Sequence, residues 1–126
     1  MGDPIRQWLE QADYDLDTAE DLFKSKRYIY AVFMLHLSIE KALKGLYQKR
    51  LGQVPPKVHN LILLANRVKL DLTDGRRVFL AMLNDGSVAT RYPEQIALIL
   101  EQYPKQRVRK LLDEGREMLT WIKTQY

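Results

Sequence analysis

Apolar residues recur along this chain with the three-to-four-residue rhythm of helices, and no stretch alternates as a half-buried strand does. Trp8, Ala12, Ala19 and Phe23, with Leu16 alongside, share one face of a helix over residues 4–24. Asp3 offers an N-cap oxygen, and Pro4 follows where its missing N–H costs nothing. Asp13, Asp15, Asp17, Glu20 and Asp21 occupy the other faces. A second helix is expected over residues 28–51, with Gly52 as a left-handed terminator. Ala31, Leu35, Ser38, Ala42 and Gly45 form one seam of it, and Val32, Ile39, Leu43 and Leu46 a second. Tyr30, Phe33, Met34 and Leu37 add further faces, so its first half is apolar nearly all round. Such a helix is either central to a bundle or part of an interface.

Pro55-Pro56 makes residues 53–58 a linker. Leu61, Leu64, Ala65 and Val68 fit a short third helix beginning at Asn60. Thr73-Asp74-Gly75 caps a fourth over about residues 74–84, packed by Val78, Phe79, Met82 and Leu83. Asn84-Asp85-Gly86-Ser87 reads as a breaker, and Arg91 and Tyr92 precede a proline that disfavours helix. Residues 85–103 are therefore expected to form a long, mostly irregular excursion. From Pro104 the rhythm returns through Val108, Leu111, Leu112, Gly115, Leu119 and Ile122. The pattern predicts an all-α fold: one domain over residues 1–126, an antiparallel up-and-down bundle of four main helices. An additional short helix and a long loop before the last helix complete it. Its core should include Trp8, Ala12, Phe23, Leu35, Ile39, Leu43, Val108, Leu111, Leu112 and Leu119.

Composition narrows the chemistry. With 46% hydrophobic and 29% charged residues the chain is of the globular class. Cysteine is absent, which removes disulfides, Cys-ligated metals and thiol catalysis. No apolar run reaches the ~20 residues of a membrane span, and Met1-Gly2-Asp3-Pro4 begins no apolar signal region, so a cytoplasmic protein is expected. The net charge of +4 is unevenly spread. Residues 1–40 hold eight acids and four bases, and residues 41–126 eight acids and sixteen bases, giving −4 and +8. Such a basic part fits an anionic partner, or simply a solvated surface.

No catalytic motif is present. His36 and His59 stand apart, outside any metal-binding spacing, and there is no phosphate-cradling glycine loop. We therefore expect no metal, no cofactor and no catalytic residue in the isolated chain. Three features stand out. His36, Glu40 and Lys44 form a polar stripe at i, i+4, i+8, with Lys41 beside it. It reads as the surface edge of the bundle, or, more sharply, as a site in which Glu40 tunes His36. Lys57-Val58-His59-Asn60 precedes the third helix, where Asn60 suits capping and His59 could line a pocket. Lys105, Arg107, Arg109 and Lys110 crowd the first turns of the last helix, where cations oppose the helix dipole. A cluster against that rule is a place to look for a bound phosphate.

These segments together resemble a known family. Trp8, Ala12, Leu16, Ala19 and Phe23 are followed by Tyr28, Ala31-Val32-Phe33, Glu40-Lys41-Ala42-Leu43-Lys44-Gly45-Leu46, and Pro56 with His59-Asn60-Leu61. Arg91-Tyr92-Pro93 then precedes a final helix ending in Trp121-Ile122. In this order they resemble the HEPN domain, a helical family also seen as the substrate-binding subunit beside small nucleotidyltransferases. The resemblance implies a helical bundle, commonly a homodimer, associated with nucleotide or RNA binding. Many members are ribonucleases with an R-x(4–6)-H motif. Here the arginines preceding His36 and His59, Arg27 and Arg50, stand eight intervening residues away, so no catalytic role carries over. The expectation is a non-catalytic subunit acting beside a separate nucleotidyltransferase. It would bind a nucleotide or RNA phosphate through Arg91, Lys105, Arg107 and Arg109, then Lys41, Lys44, His59 and a base-stacking Tyr92. The alternatives are a homodimeric interaction module of a toxin–antitoxin pair and a divergent ribonuclease.

Overall fold

A computed structural model describes residues 3–89 and 96–126. These residues form six helices and no strand: α1 (Pro4–Lys24), α2 (Tyr28–Leu51), α3 (Leu61–Arg67), α4 (Asp74–Ala89), α5 (Ile96–Gln102) and α6 (Lys105–Thr124). The ends follow local chemistry. Asp3 Oδ1 accepts from Ile5 N at 3.0 Å, and Gly52, at φ 63°, closes α2 with its N–H on Gln48 O. Asn60 Oδ1 accepts from Leu63 N, and Thr73 Oγ1 from Arg76 N, starting α3 and α4.

Every other long helix packs on α2 or on a neighbour that does, and α2 lies at the centre. Ser38 Oγ donates to Ala12 O at 2.6 Å, and Trp8 Nε1 donates to Gln48 Oε1 at 2.9 Å, so α1 runs antiparallel to α2. On α6, Arg109 reaches Glu20 and Lys123 reaches Asp13, so this helix is antiparallel to α1. The close approach of α6 to α2 rests on Gly115, where a Cβ would overlap Leu35 Cδ1. Centrality accounts for the apolar circumference of α2: Phe33, Met34 and Leu37 are half-buried and Tyr30 is exposed.

Of the ten expected core residues, Ala12, Leu35, Ile39, Leu43, Val108, Leu111, Leu112 and Leu119 are buried. Trp8 and Phe23 are only half-buried. Phe23 stacks against Tyr28 at 5.3 Å between centroids, under the guanidinium of Arg109.

The region after residue 84 departs from expectation. α4 continues through Asn84-Asp85-Gly86-Ser87 to Ala89, and residues 96–102 form α5 rather than loop. The supposed breakers are inner contacts. A Cβ on Gly86 would sit 2.7 Å from Val32 Cγ1, so glycine lets α4 lie against α2. In α5, buried Ile99 faces inward and buried Tyr103 follows the helix, which anchors a segment too short to be stable alone.

Candidate functional site

The polar stripe is not a surface edge. His36, Glu40 and Lys44 are 3%, 4% and 8% exposed, because α3 and α4 close over that face of α2. Burial makes polar groups costly unless partnered, and here each finds a partner. Glu40 Oε2 accepts from Lys44 Nζ at 3.0 Å, and Glu40 Oε1 accepts from His59 Nδ1 at 3.0 Å. His36 Nδ1 lies 3.8 Å from the same Oε1.

A second network comes from α4. Asn84 Oδ1 accepts from Leu61 N at 3.0 Å, and Asn84 Nδ2 donates to Asn60 Oδ1 at 3.0 Å. These two bonds fix which way the amide points. His36 Nε2, 3.3 Å from Asn84 Oδ1, must then carry the proton of the neutral ring. Burial pushes the His36 pKa down, against the opposing pull of Glu40, so this ring stays neutral at pH 7.

His36, His59, Asn60, Asn84, Ser87 and Val88 line a pocket of about 180 Å³. His59 differs from His36 in being exposed, with its side chain 56% accessible. Its Nδ1–H is committed to Glu40, which orients the ring and leaves Nε2 without a hydrogen bond among the described residues. A carboxylate-oriented imidazole at a pocket can accept a proton at Nε2, or, once protonated, donate to an anionic oxygen there.

The other expected site residues are dispersed. Lys41 pairs with buried Asp15 at 2.8 Å. Arg109 lies over the Phe23 ring, binds both carboxylate oxygens of Glu20 (2.6 and 3.0 Å), and contacts Asp113. The Arg109 bond holds the Glu20 carboxyl below the usual carboxylate range. Arg107 stacks on the Tyr103 ring, and its Nη1 donates to Gln102 O at 2.7 Å, satisfying a terminal carbonyl of α5. Lys105 is exposed at the start of α6. Arg91 and Tyr92 lie outside the described residues. The structure thus joins Lys44 and His59 through Glu40, and gives Lys41, Arg107 and Arg109 other partners. Sequence reading missed Asn84 and Ser87 as pocket residues. Polar side chains inside what proves a continuous helix were the available signal.

The HEPN domain model matches residues 5–125. The chain belongs to the HEPN domain family. This HEPN domain is also similar to the crystal structure of TT1696 from Thermus thermophilus, at TM-score 0.84 and 26% identity. That match covers 97% of this chain and 98% of that one. No curated protein matches this HEPN domain. No helix among its described residues is long and apolar enough to cross a membrane.

Proposed function

We propose that this HEPN domain is a non-catalytic subunit that binds a nucleotide or an RNA phosphate, as a homodimer, beside a separate nucleotidyltransferase. The observation that carries the reading is exposed His59, oriented by buried Glu40 at the mouth of a pocket lined by two amides and a hydroxyl. In its imidazolium form, Nε2 of His59 donates to a phosphate oxygen, a charge-assisted bond. Lys44 pairs with Glu40 and offsets the charge of the carboxylate that holds His59, which reduces its repulsion of an anion bound at that ring. Arg91 and Tyr92 belong to the same proposal on sequence grounds. Lys105 is the least engaged of the α6 bases, whereas Arg107 and Arg109 already serve the fold.

Calorimetric titration with ATP and with a short single-stranded RNA tests this. Binding should weaken as salt rises from about 50 to 200 mM, because phosphate contacts release counterions. His59→Ala should lower affinity roughly ten- to a hundredfold, the worth of one charge-assisted contact. Arg6→Ala, at an exposed helical pair, should not. If neither ligand binds the wild-type protein, the reading falls and a pure interaction module takes its place. If both bind but His59→Ala is silent, the pocket is not the site.

A further inference from the structure

A second open feature lies away from the His59 pocket. α4 and α6 flank a groove made of two adjoining hollows of about 380 and 490 Å³. Its floor is apolar, with Phe79, Leu111 and Met118 buried, and Val78, 59% exposed, stands on one wall. A single exposed valine is ordinary on a protein surface, so what distinguishes this groove is the arrangement of charge beside its apolar floor.

The charges along the α6 wall have an order. Arg107 and Lys110 line one end, and Glu114 and Glu117 the other. They are symmetric in position about residue 112: Lys110 and Glu114 stand two residues either side, and Arg107 and Glu117 five. Each base is mirrored by an acid. Leu112, at the centre of the pattern, is fully buried and points to the core, so the centre of symmetry on the opposite side of α6 faces the groove. Within the chain the answering pair is loose, with Lys110 Nζ 3.9 Å from Glu114 Oε1. Arg107 is held in place by its stack on Tyr103, so its guanidinium is preorganised.

A helix whose charges invert about its midpoint complements an antiparallel copy of itself. A two-fold axis places the same patch on both partners. We propose that the α4–α6 groove is where a second copy of this chain docks. The two α6 helices would run antiparallel about residue 112, with Lys110 and Arg107 facing the partner's Glu114 and the partner's Glu117. This rests on the homodimer reading above and gives it a surface, one different from the Tyr30 side of α2 that the sequence suggested.

Sedimentation equilibrium on the full chain tests the pairing by charge exchange. The wild-type protein should dimerise at tens of micromolar. Lys110→Glu and Glu114→Lys, each alone, set like charges opposite each other twice per dimer and should raise the dimer dissociation constant more than roughly tenfold. Thermal melting should show both variants folded, because Lys110 is a solvated side chain and Glu114 half-buried. Mixing the two variants should restore a heterodimer, and the double exchange Lys110→Glu/Glu114→Lys should self-associate like wild type. Single variants that dimerise normally would overturn the groove while leaving the homodimer intact. Single variants that fail without rescue by mixing would overturn the antiparallel register. A wild-type chain that stays monomeric at about 100 μM would overturn both readings.

Discussion

Replacing Glu40 by glutamine would strike the one group on which the buried polar cluster depends. The volume is nearly unchanged, and one acceptor oxygen remains for His59 or Lys44. What is lost is the negative charge. Lys44, 8% exposed and bonded to Glu40 Oε2 at 3.0 Å, would lose the counter-charge it pairs with. Removing one partner of a buried ion pair costs about 3–5 kcal/mol, because the other charge stays desolvated. Typical domains hold only about 5–15 kcal/mol in all. For a chain of this length the loss corresponds to a fall in Tm of roughly 10–20 °C. Glu40→Gln/Lys44→Met deletes both charges and should recover most of that loss. Urea unfolding of wild type, both single variants and the double variant yields the coupling between the two positions. If Glu40→Gln costs less than about 1 kcal/mol, or if the two losses simply add, the pair is not the buried, mutually dependent unit described here.

Gly115→Ala should destabilise by about 1–3 kcal/mol, since its methyl overlaps Leu35, which is fully buried and has nowhere to move. A thermal melt indistinguishable from wild type would contradict the close α2–α6 approach. Stability should also fall with acid in two stages. Burial lowers the His36 pKa, so the unfolded chain takes up a proton first, and stability should begin to fall as pH drops below about 6.5. Glu20 has a lowered pKa through Arg109 and contributes stability above the carboxylate range, lost as pH falls through it. His36→Gln should remove the first stage and keep the second, which urea midpoints at about pH 7.5, 5.5 and 4 would read directly.

What the sequence disclosed depended on how far each determinant reached along the chain. α1 and α2 were legible at both ends and α6 at its start, because Asp3-Pro4, Gly52 and Pro104 mark them locally. Asn84 and Gly86 misled for a physical reason. In isolation both weaken a helix, but here one bonds to the start of α3 and the other admits Val32. The stripe of His36, Glu40 and Lys44 was visible as a stripe. Its burial was not, because which helix face is covered is decided by where α3 and α4 dock. The charge asymmetry between the two parts of the chain was read as a surface for an anion or as a merely solvated one. Much of it proves internal: acids of α1 meet Lys41, Arg109, Arg116 and Lys123.

That internal clasp has a consequence for the order of folding. α1 and α2 are joined by three residues and pack along their whole length, so their contacts close short loops. The contacts that bring in α6 span 89 residues for Arg109 to Glu20 and 110 for Lys123 to Asp13. Long loops close at greater entropic cost, and α1–α2 pairing is therefore expected to lead, with α6 arriving last. Weakening the clasp, as in Arg109→Met, should then leave the refolding arm of a chevron almost unmoved and speed escape from the native state. The ion pairs between the first helix and the last would act less as a scaffold for assembly than as a latch on an already formed hairpin, setting how long the folded molecule lasts.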